Sequence, residues 1–75
     1  MKNLSIYSNE EIKNYSENSY RINFLKLDNF LTNTEKKEIT KKNTITSLKN
    51  IQESYKKGED MYLFLNDCIN YINNI

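Results

Sequence analysis

The chain has 75 residues and a net charge of +1, with one cysteine, one glycine and neither histidine nor proline. That is enough for one small domain. It rules out an internal disulfide, leaves zinc without a ligand set, and removes the side chain most used for general base catalysis.

No apolar run approaches the ~18–20 residues that a membrane-spanning helix requires. The opening "MKNLSIYSNEE" lacks the apolar centre of an export signal, and a free thiol suits a reducing compartment, so a cytoplasmic location is expected. Thirteen Asn, nine Ile and ten Lys against one Arg reflect AT-rich codons and point to an AT-rich bacterium or one of its phages or plasmids. The scarcity of turn residues points to helices, because all-β domains need turns every ~8–12 positions.

In chain order, Ser8 and Glu11 have the spacing of a capping box and open a polar helix with Ile12 and Tyr15 inward. The following "SYRINFLKLDNFL" is two-sided. Tyr20, Ile22 and Phe24 alternate as in a strand, yet Phe24, Leu27 and Leu31 share a helical face. A helix is the favoured reading, since a strand here has only Leu4–Tyr7 to pair with.

Thr32 and Glu35 form a second capping box, ahead of "KKEITKKN". Ile39, the one apolar residue there, points about a third of a turn away from Ile45, Leu48, Ile51 and Tyr55, so a bend near Asn43–Thr44 is expected. That second stripe ends at Lys56 and Lys57, with Gly58 placed to terminate the helix. Asp60 then caps the last helix. Met61, Leu65, Cys68, Ile72 and Ile75 recur with helical period, flanked by Phe64 and Tyr71 on one side and Tyr62 and Ile69 on the other. This apolar arc covers about half the circumference, wider than the ~100° of an ordinary surface helix.

The expected fold is mainly α. It is a small bundle of three to four helices, one domain over residues 1–75, ending in an antiparallel helical hairpin across the short "KKGED" turn. The competing architecture is α+β, with a short two-stranded sheet from residues 4–7 and 20–25.

Chemistry narrows the function. Cys68 sits in the apolar stripe, where a buried thiol stays inert. The pairs Glu10–Glu11 and Glu35–Glu38 read as charges at helix N-termini. There is no glycine-rich phosphate loop and no calcium-loop spacing, so no cofactor or metal is expected. The expectation is a non-enzymatic protein that acts through protein–protein interaction. Size and codon skew suggest a phage- or plasmid-encoded inhibitor of a host defence or regulatory system. The flanks of the last helix, Tyr62, Phe64, Ile69 and Tyr71, are the expected partner-binding residues, because one flank is left for a partner or a second copy once residues 20–31 cover the other.

The alternative is a nucleic-acid regulator. Residues 35–58 hold seven Lys against three Glu, and Lys41, Lys42, Lys49 and Lys56 would meet phosphates. Here "EITKKNTIT" (38–46) resembles the first half of a bacterial helix-turn-helix. Glu38, Ile39, Ile45 and Thr46 match that pattern, Thr40 and Thr44 replace its small residue and its turn glycine, and Asn50 and Glu53 break the second half. With a lone Arg21, the set for reading bases is poor.

Overall fold

The computed structural model describes residues 7–75. Among them are three helices and no strand: α1 (Asn9–Leu25), α2 (Asn33–Gln52) and α3 (Asp60–Asn73). None is long and apolar enough to cross a membrane.

Both capping boxes form. Ser8 Oγ accepts the Glu11 N–H while Glu11 Oε1 accepts the Ser8 N–H, each at 3.1 Å. Thr32 and Glu35 reciprocate at 3.2 and 3.0 Å. Each box satisfies two backbone donors that the first turn of a helix leaves open.

Residues 20–25 belong to α1, so the two-stranded sheet is not formed; its other strand, 4–7, lies outside the described residues except for Tyr7. The reason is a helical row. Ile12, Ser16 and Tyr20 recur every four residues and turn inward, continuing a helix that the capping box has already nucleated. The chain leaves α1 at Lys26, before Leu27 and Leu31 can join its face. Asp28 then bends it, its side chain accepting the Phe30 N–H at 3.2 Å and its carbonyl the Leu31 N–H at 3.3 Å.

The core is centred on α3. Of the six buried apolar residues, Phe64, Leu65, Cys68, Ile69 and Ile72 come from α3 and only Leu48 from α2. Three contacts advance along α1 and α3 together. Tyr7 Oη reaches Met61 Sδ at 3.0 Å, Cys68 Sγ faces the Ile12 carbonyl at 3.9 Å, and Tyr71 Oη donates to Glu17 at 2.7 Å. Those two helices therefore run parallel. Between them, α2 runs the other way: Gln52 at its end donates to the carbonyl of Tyr62 at the start of α3, 3.0 Å away.

Three local expectations for α2 are corrected. It is one continuous helix through Asn43–Thr44, not two. Its inward row is Thr40, Thr44, Leu48 and Gln52 rather than Ile45, Leu48, Ile51 and Tyr55; Ile45 and Tyr55 are half-buried beside it, and Ile51 is 40% exposed. The helix also stops at Gln52 rather than Lys57, because Gln52 is tied to α3 and Tyr55 folds back onto the core. A connection of residues 53–59 follows. There Gly58, at φ +93°, makes a left-handed turn ahead of α3 instead of capping α2. Glu59, not Asp60, is the N-cap of α3, and its carboxylate accepts the Lys56 N–H at 3.0 Å.

Leu65 is fully buried, so Leu65→Ala is expected to cost about 2–5 kcal/mol. Ile51→Ala, on the outer side of α2, is expected to cost less than about 1 kcal/mol. Urea unfolding of both variants checks the assignment of the core face, and equal losses would overturn it.

Candidate functional site

In the N-terminal half of α2, Thr40 and Thr44 are fully buried and Ile39 points outward, 37% exposed. A cleft of about 610 Å³ opens where this half of α2 meets the later part of α1 and the end of α3. Its walls are Tyr20 from α1 and Tyr71 from α3, with Ile75 just beyond α3. Lys37 and Lys41, one turn apart on α2, stand on one side with Glu38, and Glu17 on the other.

Tyr71 is held in place. Its hydroxyl donates to Glu17 Oε2 at 2.7 Å, and that bond, with some desolvation, pushes the phenol above the ordinary tyrosine range. The cleft therefore combines an aromatic and aliphatic wall with a fixed phenol–carboxylate pair and a lysine row. It can grip apolar side chains and pair with charges of either sign.

The expected partner residues are divided by the structure. Phe64 and Ile69 are 5% and 6% exposed, inside the core. Phe64 packs under Tyr7 and Tyr15, with ring centroids 4.2 and 5.3 Å away. At Phe64 the cover thus comes from the first half of α1 and the residue leading into it, whereas of residues 20–31 Tyr20 packs on the core and stands beside Tyr71 in the cleft. Tyr62 is half-buried, and Tyr71 is half-buried in the cleft.

The lysines are divided too. Lys41 lines the cleft, Lys42 and Lys49 are exposed on the outer side of α2, and Lys56 lies in the connection to α3. Residues 38–46 run through the middle of a continuous helix, so the turn of a helix-turn-helix is absent there.

Glu17, Tyr20, Lys37, Glu38 and Ile75 escaped sequence reasoning. The available signal was the run Lys36–Thr44, which offers one apolar residue in nine positions.

Cys68 is fully buried. Burial raises its thiol pKa, with Asp67 adding to the rise, while the neighbouring Ser16 hydroxyl acts in the opposite direction without completing a hydrogen bond. Among the described residues no cluster of cysteine and acidic side chains gathers to hold a metal ion. Comparison with known protein families, with curated proteins and with solved structures finds no match to this chain.

Two measurements follow from this geometry. The Cys68 thiol is expected to label in the folded protein only as fast as the fold opens, and Cys68→Ala to keep the helical circular dichroism of wild type; rapid labelling under native conditions would contradict its burial. For Tyr71, a raised folded pKa means that the neutral phenol and its bond persist below the ordinary tyrosine range and are lost as pH rises through the raised value. In an absorbance titration two tyrosines should ionise late, Tyr71 through Glu17 and Tyr15 chiefly through burial. Glu17→Gln is expected to bring only one of them back toward the ordinary range.

Proposed function

We propose that this chain is a non-enzymatic binding protein that acts stoichiometrically, using the cleft between its three helices to hold a surface of another protein. The observation that carries this reading is the composition of that cleft: Tyr20, Tyr71 and Ile75 as an apolar wall beside Lys37, Lys41, Glu17 and Glu38. An apolar centre with a polar, charged rim is the usual anatomy of a protein interface, and tyrosine is among the residues enriched there. The groups on offer are phenols, carboxylates and ammonium groups, which suit recognition. The one thiol lies elsewhere, buried between α1 and α3.

We take the partner to be a host protein of a defence or regulatory system, met inside the cell. Small size and an AT-rich residue skew fit a phage- or plasmid-borne inhibitor, and an inhibitor of this kind works by occupying a surface.

The test is co-purification of tagged protein from an AT-rich bacterial host, with mass spectrometry of what is retained. Wild type and Lys42→Glu/Lys49→Glu should retain the same partner, and Lys41→Glu/Ile75→Glu should lose it while keeping its helical circular dichroism. If the Lys42/Lys49 pair proves essential instead, and nucleic acid binds with sub-micromolar affinity at physiological salt, the nucleic-acid alternative replaces this reading.

A further inference from the structure

The fold treats its two sulfur-bearing side chains among the described residues differently. Cys68 is fully buried, and burial raises its thiol pKa, which keeps it in the unreactive form. Met61, in the first turn of α3, is half-buried and borders an open groove of about 440 Å³, opposite Asn14 and Asn18 of α1. Tyr7 Oη donates to the Met61 Sδ at 3.0 Å. The Tyr7 ring also lies on Phe64, with centroids 4.2 Å apart, so the phenol is held at both its ring and its hydroxyl.

A thioether sulfur has two lone pairs, and oxygen added to one or the other gives one or the other epimer of methionine sulfoxide. At Met61 one lone pair receives the Tyr7 hydroxyl and is covered by it. The other is left to the groove.

We propose that Met61 is a site of reversible oxidation, at which a hydroperoxide adds oxygen to the groove-side lone pair and makes chiefly one sulfoxide epimer. The sulfur lone pair attacks the terminal peroxide oxygen. The O–O bond breaks as the S–O bond forms, and the departing oxygen takes the proton of the transferred hydroxyl and leaves as water or an alcohol. Sulfur is oxidised by two electrons and the peroxide is reduced by two. The groove suits the product, because the new oxygen is a hydrogen-bond acceptor and the exposed carboxamides of Asn14 and Asn18 carry N–H donors. A sulfoxide sulfur, drained of electron density, is a poorer acceptor for the Tyr7 hydroxyl. Oxidation therefore loosens the bond that ties the residue ahead of α1 to α3, and a reductase specific for that epimer restores it.

The test is to treat the folded chain with hydrogen peroxide, digest it, and resolve the Met61 peptide into its two sulfoxide epimers by chromatography with mass spectrometry. Wild type is expected to show one epimer in excess by about fivefold, the ratio that one ordinary hydrogen bond sustains, with Cys68 unmodified. Tyr7→Phe keeps the ring on Phe64 and loses only the hydroxyl. It is expected to keep the helical circular dichroism of wild type and to give the epimers in near-equal amounts, as is wild type oxidised in urea. Oxidised wild type is expected to melt at a lower temperature, and the reductase for the major epimer to reverse the drop; Met61→Leu, treated in the same way, should show no such drop. Near-equal epimers in folded wild type overturn the inference. So does an excess that persists in Tyr7→Phe or in urea, oxidation of Cys68 ahead of Met61, or an equal fall in melting temperature in Met61→Leu.

Discussion

Every element of this bundle depends on the wide apolar face of α3. Leu65, Cys68 and Ile72 run along its centre with no exposed surface, and Phe64 and Ile69 fill its two sides. Neither α1 nor α2 brings a comparable face; among the residues fully or nearly buried, α1 gives only Ser16 and α2 only Leu48 from the apolar set. A face of about half a circumference needs two covering helices, whereas an ordinary stripe of ~100° needs one. That is why the shortest of the three helices supplies most of the core and why both α1 and α2 pack on it as well as on each other.

The covering helices use small polar residues where a bundle ordinarily uses leucine. Thr44 is satisfied, donating to the Thr40 carbonyl at 2.7 Å and accepting from Asn23 at 3.3 Å. Ser16 Oγ and Thr40 Oγ1 are buried without a hydrogen-bond partner among the described residues. The Ile12 carbonyl, one turn before Ser16 and the acceptor a helical serine ordinarily takes, faces the Cys68 thiol instead. An orphaned hydroxyl costs about 1–3 kcal/mol, and at Ser16 the adjacent Cys68 thiol, on which that hydroxyl acts, offsets part of it. Thr40 and Thr44 are nonetheless fully buried, so α2 turns hydroxyls rather than apolar side chains toward its neighbours along this half.

What was legible in the sequence follows from how local each determinant is. The two capping boxes involve residues three apart and no tertiary contact, so both helix starts could be read from Ser8–Glu11 and Thr32–Glu35. The period of α3 is repeated over fourteen residues and no alternative pattern competes with it. The register of α2 is not legible from its apolar residues, because Thr40, Thr44 and Gln52 turn in beside Leu48 while Ile51 is left out. The end of α2 depends on Gln52 reaching Tyr62, ten positions ahead, which no local pattern announces. The cleft was hidden for the same reason, since it is defined by which side of Lys36–Thr44 faces α3, and that is a tertiary fact.

A cleft at the junction of three helices couples occupancy to folding. Its walls come from all three elements, so anything that fills it bridges α1, α2 and α3 at once, at the end of the bundle where α2 contributes no apolar side chain to the core. A partner that binds only the folded chain stabilises it by about 2.7 kcal/mol at a hundred times its dissociation constant. An occupant lying along Tyr20, Tyr71 and Ile75 would thus be linked to the stability of the whole bundle rather than to one helix.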